Sequence, residues 1–244
     1  MAANNYIGYW LLLKSAKKQF FVSIYLFFKF IIFKKLYRKK IKDNRALQLS
    51  HEENIRNHLR INEDWFSHNI NTLDFFFKEN NLYEKKIDML EIGSYEGNSS
   101  VFFLKYFPKL NLTCVDTFEG GIEQGNKSFD QVYENFKFNV SEYKDRLKIV
   151  RDTSDNFFNS HTNIFYDLVY IDGSHHYKDV LNDARNSYKL LKKDGVLIFD
   201  DFLWNFYSNP NENPIGAIKL FLKENFFKLE IVSIGYQIIL KKNK

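Results

Sequence analysis

Residues 167–180 read DLVYIDGSHHYKDV, and residues 195–201 read GVLIFDD. Each holds an apolar run of strand length, Leu168–Asp172 and Val196–Asp200, that closes on an acid. Short apolar runs bounded by turn residues suit strands buried on both faces. A helical segment, Lys178–Leu191, separates the two. Working outward, the same alternation repeats. Strands are expected at Ile87–Ile92, Leu112–Asp116 and Leu147–Val150, and helices at Ser99–Tyr106, Phe129–Asn139 and Asp155–Ser160. Strands that alternate with helices give an α/β fold, a doubly wound and mostly parallel sheet with helices on both faces. Its crossovers are right-handed. Leu229–Ile234 and Gln237–Lys241 flank Gly235-Tyr236, a tight reversal, so the last two strands are expected to run antiparallel.

In such a sheet, adjacent strand ends converge on one crevice. Asp172, Asp200 and Asp201 would meet there. Converging carboxylates repel unless a proton or a cation lies between them. Oxygen donors select Mg²⁺ or a similar hard divalent ion over zinc. His175 lies three residues past Asp172, within reach of a hydroxyl held at such a metal, and an imidazole of ordinary pKa near 6.5 suits a general base at neutral pH.

The first strand ends in a second signal, Glu91-Ile92-Gly93-Ser94-Tyr95-Glu96-Gly97-Asn98-Ser99-Ser100, before a helix. Glycines at this turn let the backbone pass close to a ligand at the sheet's carboxyl edge. The spacing Gly-x-x-x-Gly is neither the Gly-x-Gly-x-x-Gly of dinucleotide binders nor a phosphate loop. It suits an amino-acid-bearing nucleoside. Asp116, at the end of the second strand, can accept from both hydroxyls of a ribose. Asp152 and Ser154, after the third strand, are candidates for an adenine edge or for a helix cap.

EIGSYEGNSS, CVDTF, DLVYIDGSHHYKDV and GVLIFDD together resemble class I S-adenosylmethionine-dependent methyltransferases. Within that class the chain is most similar to the metal-dependent O-methyltransferases of the macrocin and mycinamicin sugar type, and more distantly to the catechol type. The resemblance covers about Asp64–Lys241. It implies a seven-stranded sheet with the last strand antiparallel. It implies S-adenosylmethionine lined by Glu91, Gly93 and Gly97, with Ser94 and Ser99 in the same turn, and a ribose held by Asp116. It also implies a metal on Asp172, Asp200 and Asp201, with His175 as the base beside Asp172. Catechol-type enzymes carry Asp-Asn where this chain has Asp200-Asp201, and Lys where it has His175. Both differences point toward the sugar-type branch, whose acceptor is a hydroxyl of a sugar or glycan precursor.

The chain has 244 residues and a net charge of +5. That length suits one domain with an appendage. The expected division is an arm at 1–42, a helical lead-in at 43–85 and the catalytic domain at 86–244. The arm carries ten Lys/Arg and no acid, leaving 25 bases against 30 acids elsewhere. The body is therefore acidic, which argues against a nucleic-acid partner. The single cysteine, Cys114, excludes a disulfide scaffold and suits the cytoplasm. Phe20–Phe33, FFVSIYLFFKFIIF, is short for a membrane span and lies between basic clusters. It reads as an anchor on an anionic membrane surface, or as a helix packed on the body or on a second subunit of a homo-oligomer. Asp64–Glu79 is expected to form an amphipathic helix.

Two loops, Glu119–Lys127 and Trp204–Pro214, are candidates to contact the acceptor, the second through Trp204, Phe206 and Tyr207. Rival readings are a methyltransferase of a small phenolic or natural-product acceptor, and a catalytically silent membrane-tethered module.

Overall fold

A computed structural model describes Leu12 and residues 19–43, 45–120, 129–209 and 212–243. The basic residues Lys14, Lys17 and Lys18 and most of the Glu119–Lys127 loop lie outside them. Eight helices are described: α1 (Phe20–Asp43), α2 (Ala46–His58), α3 (Ile70–Glu79), α4 (Asn98–Tyr106), α5 (Phe129–Asn139), α6 (Ser154–Ser160), α7 (Tyr177–Leu190) and α8 (Pro214–Glu224). The seven strands are β1 (Ile87–Ile92), β2 (Leu110–Asp116), β3 (Leu147–Arg151), β4 (Tyr166–Ile171), β5 (Leu191–Phe199), β6 (Leu229–Ile234) and β7 (Ile238–Lys242). They form one sheet in the order β3-β2-β1-β4-β5-β7-β6. The chain divides into two compact units, Lys39–Thr162 and Met1–Arg38 with Asn163–Lys244.

In the first unit, β1, β2 and β3 pair in parallel. Five of the six residues of β1 are buried, as a strand covered on both faces requires. An aromatic core of Phe66, Phe77, Phe102, Phe103 and Phe107 is almost wholly buried. Phe77 and Phe107 meet edge to face at 4.9 Å, the arrangement that ring quadrupoles favour. The Arg146 guanidinium donates to the carbonyls of Leu104 and Phe107, at 2.7 and 2.9 Å, and so satisfies the end of α4. Several boundaries shift by a residue or two from expectation, and one, the start of α3, shifts further. The helix proper starts at Ile70, after a 3₁₀ turn at Ser67–Asn69. Asp64 Oδ1 accepts from the amides of Phe66 and Ser67, at 3.2 and 2.9 Å, and this side-chain turn displaces the helix start.

In the second unit, β4 and β5 are parallel, while β7 runs antiparallel to both β5 and β6. The last strand is thus the one reversed strand here, and it is an inner one. Leu197, Ile198, Phe199, Ile218, Phe221 and Ile239 are buried at its core. Sequence reading stopped at a loop before Pro214, yet α8 follows. Pro214 opens it, where a missing N–H costs nothing. Asn213 holds the preceding loop by accepting from the amides of Phe206 and Tyr207 and donating to the Tyr207 carbonyl. α1 buries Val22, Ser23, Leu26 and Phe30. Among the described residues, no helix is long and apolar enough to cross a membrane.

Candidate active site

Ile171 and Phe199 are register partners, so β4 and β5 end side by side and their next residues leave from one edge. Those residues are Asp172, Asp200 and Asp201. One ligand atom each from Asp172, His175 and Asp201 lies within 4.8 Å of the others. His175 Nε2 and Asp201 Oδ2 are 2.8 Å apart. Tyr236 donates its hydroxyl to Asp201 Oδ1 at 2.7 Å. The Trp204 ring stacks on the His175 imidazole at 4.5 Å and 21°. The imidazole is therefore held by a carboxylate at one nitrogen and by an indole on its face. Ile171, Phe199, Val180, Pro214 and Ile218 line the same cleft as these three residues.

Asp200 is not in this group. Its Oδ1 accepts from the Tyr170 hydroxyl and the Gln237 amide, and the residue is buried. Both acids lie in the turn after β5, and of the two only Asp201 lines the cleft. Their titration reflects the difference. Burial, and then the neighbouring Asp201 charge, pushes Asp200 up to about 7. Burial also opposes ionisation of Asp201, but the His175 hydrogen bond and charge outweigh it, and Asp201 sits below the usual carboxylate range. Asp201 is thus the ionised member of the pair.

The glycine turn after β1 is built around two carboxylates. Glu91 is fully buried. It accepts from Ser99 Oγ at 2.6 Å, Ser94 Oγ at 2.9 Å and Cys114 Sγ at 3.1 Å, and from Ser100 Oγ. Burial raises its pKa against the pull of these donors. Asp116 Oδ2 accepts from the amides of Ser94 and Tyr95, at 2.7 and 2.8 Å, and Oδ1 from the amide of Phe118 at 2.6 Å. Gly93 and Gly97 have φ of +85° and +83°, which a side chain rarely adopts. A Cβ on Gly97 would meet the Phe136 ring at 3.0 Å. Gly97 is therefore needed for the close packing of α5, whereas the sequence suggested only close approach to a ligand.

Asp152 Oδ1 accepts from the Thr153 amide and the Asn156 side chain, both at 2.7 Å. Thr153 caps α6, and Ser154 is its first residue. Sequence reading passed over Glu96. This buried carboxylate accepts from the Asn62 amide and from the Asn135 side chain, at 2.7 and 2.8 Å. Asn139 donates to the Glu96 carbonyl at 2.8 Å and accepts from the Arg60 amide at 2.7 Å. The glycine turn is thereby tied to residues 60–62 and to α5. Three asparagines far apart in sequence gave no spacing by which to find this.

Residues 90–202, which contain the glycine turn, Asp116 and all four residues of the acid and histidine set, match the family model described as a methyltransferase domain. That match supports an S-adenosylmethionine-dependent methyltransferase. An uncharacterized protein of Acanthamoeba polyphaga mimivirus, R132, is 28% identical over 184 residues, spanning 70% of this chain and 79% of that protein. Solved structures share the fold. An O-methyltransferase from Bacillus cereus, in complex with SAH, superposes with a TM-score of 0.53 at 12% identity, covering 88% of this chain and 98% of that one. TomG, an O-methyltransferase of Streptomyces achromogenes in complex with SAM, gives 0.52 at 12% identity over 82% and 90%. The MycE methyltransferase of mycinamycin biosynthesis, in complex with Mg, SAH and mycinamycin VI, gives 0.53 at 12% over 81% of this chain and 54% of that one.

Proposed function

We propose that this enzyme is an O-methyltransferase that moves a methyl group to a hydroxyl of a sugar or glycan precursor, with a divalent cation at Asp172 and Asp201. The observation that carries the reading is the grouping of Asp172, His175 and Asp201 within 4.8 Å. The carboxylates of Asp172 and Asp201 supply the oxygen donors that a hard divalent ion such as Mg²⁺ takes, with His175 beside them. A carboxylate offers about four lone-pair positions, so Asp201 keeps acceptor capacity after its bonds to His175 and Tyr236. A divalent ion held there would supply Lewis-acid polarisation of an acceptor hydroxyl.

The remaining chemistry belongs to the chain. His175, held to Asp201 through Nε2, is the group placed to take the acceptor's proton. The ionised Asp201 stabilises the imidazolium that results. Trp204 prevents the ring from turning away. Stacked on Trp204 at 5.4 Å and 27°, Phe206 extends an aromatic shelf suited to the apolar face of a sugar ring. Glu91 and Asp116 hold the turn and its ribose-binding acid in place for S-adenosylmethionine, leaving little reorganisation to binding.

Calorimetric titration of S-adenosylmethionine, followed by an acceptor screen over glycans and phenols with Mg²⁺ or chelator, tests this. Turnover of a glycan hydroxyl that chelator abolishes is expected. Metal-independent turnover, or turnover of phenols alone, would overturn the metal or the sugar assignment respectively.

A further inference from the structure

α1 has two unlike faces. Val22, Leu26 and Phe30 point inward, whereas Phe21, Phe28, Ile32 and Leu36 are exposed. These four exposed residues fall on one stripe of the helix, since steps of seven and four return close to the same angle. A second element brings apolar surface to that stripe. The turn between α8 and β6 carries Phe226 and Phe227, the latter 92% exposed. Phe226 meets the Tyr25 ring of α1 edge to face at 5.3 Å. Tyr25 lies one turn from both Phe21 and Phe28, so two separate segments present their aromatic residues together.

The surroundings of this patch are basic. Lys35 and Arg38 are exposed on α1, and no acid occurs in the sequence before Asp43. Exposed apolar patches rimmed by polar and charged residues mark interaction sites.

We propose that α1 and the Phe226-Phe227 turn form a docking face for an anionic membrane surface, with the helix lying in the plane of the bilayer. Charge complementarity selects this occupant. Each Lys or Arg near an anionic bilayer contributes about 1 kcal/mol, and the exposed rings enter the acyl boundary. A second copy of the chain would bring the same basic border against itself. This inference is independent of the acceptor.

Removing the arm is a poor test, because Leu26 and Phe30 belong to the core and Lys219 Nζ donates to the Leu12 carbonyl at 2.7 Å. Cosedimentation of the full chain with phosphatidylcholine vesicles containing about 30% phosphatidylserine tests the proposal directly. Wild type should pellet, and less so in high salt. Phe28→Ser with Phe227→Ser should weaken binding about tenfold or more, and Lys35→Glu with Arg38→Glu should abolish the preference for anionic vesicles. Phe227→Trp keeps an aromatic residue there, and brominated lipid should quench its added fluorescence. No pelleting, unchanged pelleting of the Phe variant, or no quenching would overturn the proposal. So would a lipid-free dimer that the Phe pair dissolves while vesicles fail to bind.

Discussion

His175 and Asp201 face one another across a 2.8 Å contact, although 26 positions separate them in the chain. The contact exists because β4 and β5 end in register, which brings residues just past both strands to one edge. It links the proton acceptor of the proposed reaction to the ionised member of the acid pair.

Asp201→Asn should therefore damage chemistry more than cofactor binding. An amide neither stabilises an imidazolium nor holds a divalent ion well. Turnover should fall by about 10²-fold or more, while S-adenosylmethionine affinity measured by calorimetry should stay within about threefold. An Asn variant with wild-type turnover would remove both roles from Asp201.

Glu91→Ala should act on the cofactor site and on stability together. Three hydroxyls and a thiol lose their buried acceptor, and unsatisfied buried groups cost about 1–3 kcal/mol each when they cannot find others. Denaturant unfolding should show a loss of several kcal/mol, and calorimetry should show weakened cofactor binding. Stability within about 0.5 kcal/mol of wild type would mean that the serines re-pair locally.

Gly97→Ala meets two penalties, a φ of +83° and the Phe136 ring at 3.0 Å. The left-handed conformation costs about 1–2 kcal/mol for a residue with Cβ, and the contact adds to it. A drop in Tm of several degrees is expected by calorimetric scanning. An unchanged Tm would show that α5 yields freely.

Lys219 provides a pH signature. It is fully buried on α8, and burial lowers its pKa from 10.5 to about 8. Between pH 8 and 10.5 the unfolded chain then binds more protons at this site than the folded one. Stability from this group therefore rises with pH across that window, by an amount of order 3 kcal/mol in all. Below about pH 8 the folded state carries the full cost of a buried ammonium. Lys219→Met should flatten the rise in thermal unfolding series from pH 7 to 10. An identical slope in the variant would rule out Lys219 as its source.

Much of this site was legible in sequence because a buried strand ends where its apolar run ends. That rule alone located Asp116, Asp172, Asp200 and Asp201 at carboxyl edges, and β1 and β6 were bounded to the residue. What remained hidden depends on register. The choice between Asp200 and Asp201 follows from β7, whose Ile238 opposes Phe199 and so brings Gln237 to Asp200. Nothing local to the Asp-Asp pair encodes that partner. Glu91 likewise reads as a leading acid for a ligand turn. Its bond to Cys114 appears only when β1 and β2 align Glu91 with Cys114. The late start of α3 depended on one side-chain turn at Asp64, which competes with the helical pattern of Trp65 and its followers.

The position of β7 between β5 and β6 also bears on how the molecule is made. During synthesis, until Ile238–Lys242 emerges from the ribosome, β5 presents an open edge and β6 lacks the neighbour that holds it in the sheet. Open apolar edges invite pairing with other chains, and nascent chains are exposed for seconds at ordinary elongation rates. A stop codon or frameshift after β6 would thus leave β5 with an open edge and β6 without a partner. Such a product is expected to aggregate rather than survive as a weakened enzyme.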